Sequence, residues 1–229
     1  MAFQLQGAGG SIAGVGAEAA KGLHVINKPT DYGTLGHYRF SVVTGTLSAA
    51  LAASAVVFSA RWGDASKFAV IKSFRTNFLP LTPFTANTLT DHGSFDAFIG
   101  RVFSASHTGG TAVDLSGDNA SMRAAMGPSL FSDVRRSSTS ALGGGTVTLD
   151  SVPFAQSLRK GNRVNPAALT EEVIIDPDPL FYKCDTANGE HPIVLAHNEG
   201  IIIRNRTVWP AAGTGILKIE MVWAEVVAY

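Results

Sequence analysis

Hydrophobic and polar residues alternate along most of the chain after about residue 32, and this period of two predicts β-strands. Runs rich in β-branched and aromatic residues are separated by Gly, Pro, Asn and Asp, which favour turns. The clearest runs cover 38–44, 55–62, 68–81, 95–103, 146–149, 169–175, 180–184 and 193–195. A single short stretch, 119–126, has the composition of a helical turn. The pattern predicts an all-β domain of eight to ten strands.

The C-terminal segment predicts two long strands, at about 200–209 and 215–227, which a Pro-Ala-Ala-Gly-Thr-Gly turn joins as a hairpin. On one face of the second strand, the apolar residues Leu217, Ile219, Met221 and Trp223 point the same way. Its other face begins with Lys218 and Glu220 and then becomes apolar as well. A strand end that is apolar on both faces must be covered on both sides, by another sheet or by another subunit.

This two-sided strand end predicts subunit contacts. We expect Val222, Trp223 and Val226 to contribute to an interface between chains. We also expect Trp209, beside Pro210 at the predicted hairpin tip, to be an exposed anchor, since tryptophan combines a large apolar area with a polar N–H group.

Residues 1–29 predict an extended N-terminal arm rather than part of the folded body. The arm is dense in glycine and cannot bury enough surface by itself to offset the entropy of ordering it. A disordered tail and an arm that orders against a neighbouring subunit both fit this composition. In the second case the contacts come from its spaced apolar residues, which are Phe3, Leu5, Ile12, Val15, Leu23, Val25 and Ile26.

Residues 30–229 are long enough for one large β domain. Many strands with Gly-rich and Pro-rich turns predict a sandwich or a closed barrel. We expect a jelly-roll-like β-sandwich in which the region 104–168 supplies long loops. The uncharged stretch 41–60 has the length of a membrane span, but its many Ser, Thr, Gly and Ala residues favour two packed strands, and we predict no membrane partner.

The charge of the chain limits the classes of partner. Charged residues make up only 16% of the 229 residues, below the ~25% that is usual for soluble domains. Because a monomer needs a charged surface to stay dissolved, this predicts surface that is buried between chains. The 18 basic and 18 acidic residues cancel, which is not typical of a nucleic-acid-binding protein. The single cysteine, Cys184, excludes an internal disulfide.

No catalytic motif stands out. The sequence has no G-x-S-x-G elbow, phosphate-binding loop, H-E-x-x-H or C-x-x-C. His191 and His197 need a carboxylate such as Glu199 to bind a metal, and the segment 114–119 lacks the bidentate Glu of a calcium loop. We interpret the Asp-Pro-Asp-Pro stretch at 176–179 as a rigid surface turn rather than as a catalytic acid–base pair. We therefore predict no enzyme, no metal and no cofactor.

Three stretches carry a resemblance to a known family. They are RVFSASHTGGTAVDLSGDN at 101–119, SMRAAMGPSLFSDVR at 121–135, and HPIVLAHNEGIIIRN at 191–205 with the closing VWAE at 222–225. Their order resembles that of a family of tailed-bacteriophage virion structural proteins, over residues 37 to 226. The resemblance implies a component of the virus particle, assembled in the host cytoplasm, that is not an enzyme.

Two functions fit this picture. The first is a capsid decoration (cement) protein, which acts as a homotrimer and contacts the major capsid protein or other virion proteins. The second is a tail-associated or fibre-associated module that binds a host glycan or receptor, for which Trp62, Trp209 and Trp223 would supply aromatic platforms. For the first, the zero net charge predicts that occupancy on the particle depends only weakly on salt.

Overall fold

The computed structural model of the protein describes residues 5–6, 12–13, 36–82, 84, 92–117, 119–122, 126–158, 181–185, 190–227 and 229. The chain divides into two units, 1–31 and 32–229. In the first unit, β1 (Leu5–Gln6) pairs antiparallel with β2 (Ile12–Ala13). The remaining predicted contact residues of the arm lie outside the described residues; they are Phe3, Val15, Leu23, Val25 and Ile26.

The described part of the second unit contains twelve strands. They are β3 (Gly36–Val43), β4 (Val56–Trp62), β5 (Phe68–Thr82), β6 (Phe95–Ala105), β7 (Thr111–Ala112), β8 (Phe131–Arg136), β9 (Thr146–Leu149), β10 (Ala155–Gln156), β11 (Phe181–Lys183), β12 (Ile193–Leu195), β13 (Gly200–Asn205) and β14 (Thr214–Val226). No described residue lies in a helix, so none belongs to a helical segment that could cross a membrane. The predicted strand at 169–175 lies outside the described residues.

The strands form two antiparallel sheets that pack face to face as a β-sandwich. The first sheet has the order β10-β6-β13-β4-β8-β7, with β9 also paired to β6. The second has the order β11-β5-β14-β3, with β12 also paired to β5. The all-β prediction and the sandwich are therefore confirmed. Successive strands from β3 to β6 alternate between the sheets, and β13 and β14 then lie between strands that precede them in the chain.

The core lies between the sheets and is rich in aromatic rings. Phe58 of β4 packs against Phe40 and Phe74 of the second sheet, with ring centroids 5.8 and 6.4 Å apart. Phe131 of β8 meets Trp223 of β14 edge to face at 5.3 Å. Full burial of each such side chain contributes roughly 1.5–3 kcal/mol to stability. This explains why apolar residues recur at every second position of these strands.

Two local predictions were wrong. The predicted C-terminal hairpin does not exist, because β13 belongs to the first sheet and β14 to the second, and residues 206–213 cross between them. The predicted helical turn at 119–126 is not helical in its described residues. Instead, Ser121 forms a β-bridge with Tyr38 at the edge of β3, so tertiary pairing overrides the local helix propensity.

Candidate interaction surface

The outer face of the second sheet carries an ordered pattern of side chains. Paired residues of antiparallel strands point to the same face, so the register shows which side chains stand together. One row crosses four strands, from Arg39 on β3 through Val222 on β14 and Ser73 on β5 to Lys183 on β11. Met221 and Trp223 on either side of Val222, and Phe74 next to Ser73, point into the core. The row therefore faces outward, and both of its ends are exposed cations.

The next two rows add two more exposed cations. Ser41, Glu220 and Arg75 stand opposite one another in one row. Lys218 stands opposite Val43 in the row beyond. We call Arg39, Arg75, Lys183 and Lys218 the basic belt; all four side chains are exposed.

Glu220 is the one carboxylate within these rows, and it already forms an ion pair with Lys218. The Lys218 ammonium lies 2.8 Å from Glu220 Oε1, and the Ser41 hydroxyl donates to the same oxygen at 3.4 Å. These hydrogen bonds, led by that of Lys218, keep the pKa of Glu220 below its usual value, and the charge of Arg75 acts in the same direction. Four cations against one carboxylate give the described residues of these rows a net charge of +3, although the chain as a whole is neutral.

A groove of about 620 Å³ runs through the belt. Its floor includes Val222 and Ser73, and Arg39 and Arg75 are among its walls. The segment that contains Ser121 closes one side, because its main chain pairs with the edge of β3. The groove is thus built on long paired strands, which hold its side chains at fixed spacings.

An exposed apolar strip borders the belt. Leu79 stands opposite Ile216 on the row beyond Lys218, and Leu81 follows two residues later. The exposed fractions are 53% for Leu79 and 48% for Leu81, and Val43 is exposed as well. We call Val43, Leu79, Leu81 and Ile216 the apolar strip. Adjacent exposed apolar side chains that border polar ones are typical of protein–protein contact surfaces.

The structure places the predicted contact residues of β14 in different environments. Val222 is half-buried and forms part of the groove floor. Trp223 was predicted at a subunit interface, but it is fully buried in the core of its own chain, stacked on Tyr38 at 5.6 Å. Val226 is buried with Val70 on the outer face of the sheet. The two-sided apolar end of β14 is therefore covered within one chain.

Trp209 is not an exposed anchor. It is 2% exposed and packs edge to face against Phe78 and Phe84, at 5.6 and 5.0 Å. The reason is the crossing between the sheets, which folds over the open end of the sandwich, where the Trp209 amide donates to Leu51 O. Trp62 is buried as well. With Trp223 in the core, none of the three tryptophans offers the exposed platform that glycan binding was predicted to use.

A buried carboxylate, that of Glu225, lies near the C-terminal end of β14. Glu225 Oε1 accepts hydrogen bonds from Ser129 Oγ (2.7 Å), the Leu130 amide (3.0 Å) and the Trp223 indole (3.1 Å). Burial raises the pKa of Glu225, and the hydrogen bonds oppose this shift. Burial, together with the nearby charge of Glu225, raises the pKa of Tyr38 to about 12. Because all three donors converge on Oε1, this carboxylate ties the 129–130 segment to the core.

A histidine and a serine meet beneath a small apolar cluster on the outer face of the first sheet. His107 Nδ1 lies 3.0 Å from Ser59 Oγ, and both residues are buried. Burial lowers the pKa of His107, and the charge of Arg204 adds to this effect. The pair has the atoms of a serine–histidine couple, but buried side chains offer no access to a substrate, so we interpret it as a structural hydrogen bond.

The residues considered for metal binding point elsewhere. His191 Nδ1 lies 2.8 Å from Pro192 O, and His197 Nδ1 lies 3.0 Å from Gly63 O. Glu199 accepts from the Ala196 amide. The Asp114 carboxylate is occupied by Ser116 and Asn119 in an Asx turn. In the part of the chain that the structure describes, no group of three His, Cys, Asp or Glu side chains is placed to hold a metal ion.

Sequence reasoning missed the basic belt, because its four residues lie on four strands far apart in the chain. The only local signal was a cation at an outward position in each run. In comparisons with known proteins, no family model, no curated protein and no solved structure matches this chain.

Proposed function

We propose that this protein is a structural, non-enzymatic component of a virus particle, and most specifically a decoration (cement) protein on the outside of the capsid. The observation that carries the proposal is the outer face of the second sheet, where a groove, the basic belt and the apolar strip lie side by side on paired strands. A rigid surface of this kind serves to hold a partner in a fixed position.

The order of the strands supports the proposal by analogy. We propose that the sandwich is a jelly roll. The orders β3-β14-β5-β11 and β4-β13-β6-β9 each place a C-terminal strand between two N-terminal strands, which is how a Greek key returns the chain beside an earlier strand. Jelly rolls built from two Greek keys occur in viral capsid domains, and also in lectins and cupins.

The proposed mechanism is linkage between binding and stability. A protein that binds the assembled shell better than separate shell subunits shifts the equilibrium toward the shell. Each contact can be weak if several copies bind together, because linked contacts reinforce one another. We therefore propose a homotrimer that binds the major capsid protein or other virion proteins, in a particle assembled in the host cytoplasm. The low charged fraction of 16% supports association between chains.

The test is an add-back experiment on particles. Particles would be stripped of the protein, and the temperature at which they release DNA would be measured before and after the protein is restored. We expect the release temperature to fall on stripping and to recover on add-back. An unchanged release temperature at full occupancy would reject cementing and favour the alternative, a tail-associated or fibre-associated module that recognises the host.

A further inference from the structure

We propose that the basic belt binds the carboxylates of an acidic segment of a partner protein, while the apolar strip contacts apolar side chains of the same segment. This inference deepens the proposed function and rests on it, because it assigns the same sheet face to a partner protein.

Three of the four cations in the belt form no ion pair with a described carboxylate, although the charge of Arg75 acts on Glu220 across the row. Among the described residues, no carboxylate lies within ion-pair distance of Arg39, Arg75 or Lys183. Lys218 alone is paired, with Glu220. All four cations are exposed and stand on a sheet that fixes their spacing. They can therefore meet incoming carboxylates without breaking internal ion pairs and with little loss of hydration.

Most of the acidic residues that the structure describes are already occupied within the chain, which argues against the described surface of a second copy as the occupant. Six described carboxylates form internal ion pairs: Asp64, Asp96, Asp133, Asp150, Glu199 and Glu220. Glu225 is buried, and the Asp114 carboxylate is held in its turn. The described part of a second copy thus offers few carboxylates to the belt, and we take a different protein as the occupant.

The dimensions suit an extended segment. Arg39 and Lys183 stand in one row across four strands, a separation of roughly 14 Å at about 4.8 Å per strand. An extended segment rises about 3.3 Å per residue, so four or five residues span the row. The groove of about 620 Å³ lies along the part of this path from Arg39 to Ser73.

The neighbourhood favours a protein over a nucleic acid. The apolar strip borders the belt, and a phosphodiester backbone offers nothing apolar to match it. Glu220 also lies in the middle of the belt, where it would repel a continuous row of phosphates. An acidic segment with interspersed apolar residues can place its carboxylates on the cations and its apolar side chains on Leu79 and Leu81.

The belt changes the expected effect of salt. The zero net charge predicts weak salt dependence, but that argument assumes that charge is spread evenly over the surface. Together with Glu220, the belt places a net charge of +3 in three neighbouring rows of one sheet face, and exposed charges are screened within about 8–10 Å at physiological ionic strength. Binding at this face should therefore weaken as the salt concentration rises.

The probe is a fluorescein-labelled peptide of alternating Glu and Leu, followed by fluorescence anisotropy with the full chain at about 50 and 500 mM NaCl. We expect the double variant Arg39→Gln, Arg75→Gln to bind the peptide about tenfold more weakly at low salt, since each exposed pair contributes up to about fivefold. The control variant Arg101→Gln, Arg136→Gln removes the same charge from the first sheet and should bind like the wild type.

Several results would overturn the inference. They are equal binding by the belt variant, equal binding of a peptide with Gln in place of Glu, tighter belt-dependent binding of a single-stranded oligonucleotide, and a belt-dependent change of oligomeric state. The add-back assay separates this inference from the proposed function. If the belt variant restores the release temperature as well as the wild type does, the belt is not the contact and cementing stands. If the wild type itself fails to bind particles, cementing fails whatever the peptide does.

Discussion

Glu225 gives a quantitative test of how a buried carboxylate stabilises the sandwich. We predict that Glu225→Ala lowers the free energy of unfolding by about 2–4 kcal/mol. The substitution leaves the Trp223 indole N–H unpaired in the core, at a cost of roughly 1–3 kcal/mol, and the partly buried Leu130 amide loses its acceptor, at roughly 1 kcal/mol. The Ser129 hydroxyl is exposed enough to turn to water.

Glu225→Gln separates the hydrogen bonds from the charge. The amide oxygen can replace Oε1, which now accepts from all three donors, and the buried charge disappears. Because burial raises the pKa of Glu225 above its ordinary 4.5, the folded protein still holds a proton just above that pH when the unfolded chain has released it. The stability of the wild type therefore falls as the pH rises from 4.5 through the raised pKa. The glutamine variant lacks this fall.

The assay is urea unfolding, followed by tryptophan fluorescence, at a series of pH values from about 3 to about 7.5. We expect Glu225→Gln to gain stability relative to the wild type as the pH rises. The matched control is Glu220→Gln on the same strand. Its pKa is lowered by Lys218, so this variant should lose stability relative to the wild type over the pH range just below and around the ordinary carboxyl value. A flat pH profile for Glu225→Gln, or one that runs parallel to the control, would refute the reasoning.

Three further predictions concern the body and the arm. Gly200→Ala should destabilise by about 1–3 kcal/mol, because the added Cβ would lie 2.0 Å from a main-chain oxygen of the neighbouring strand, whereas Gly127→Ala meets nothing within 4 Å and should be tolerated in thermal melts. Ser59→Ala should cost roughly 1 kcal/mol through loss of the hydrogen bond with His107, measured by urea unfolding. Deleting residues 1–29 should leave the melting temperature nearly unchanged but weaken particle binding; equal binding would refute the role of the arm.

The positions of most strands followed from the sequence, because a strand with one face on the core has alternating apolar and polar residues. The predicted run 68–81 is β5 (Phe68–Thr82), and the run 95–103 is β6 (Phe95–Ala105). The alternation in the sequence did not show at which residue of β5 the core-facing side chains change from odd to even positions. The register of β5 with β14 shifts near Lys72. This shift places Val70 on the outer face, whereas Phe74 faces the core.

The partners of each strand could not be predicted, because pairing depends on residues far apart in the chain. The segment 206–213 has the turn residues of a hairpin, and local rules cannot distinguish a turn within one sheet from an arch between two. Trp209 was misplaced for the same reason. The basic belt depends on the register of four strands, so its residues were visible in the sequence but their proximity was not.

The placement of β13 and β14 has a consequence for how the chain folds. Each lies in the middle of a sheet, between strands formed by earlier parts of the chain. While the polypeptide emerges from the ribosome, the strand that pairs with both β3 and β5 is missing until residues 214–226 appear. The strand that pairs with both β4 and β6 is missing until residues 200–205 appear. Such long-range pairing makes folding slow and leaves unpaired edges exposed until synthesis has passed this region. We therefore expect the chain to be most prone to aggregation before the last strands complete both sheets.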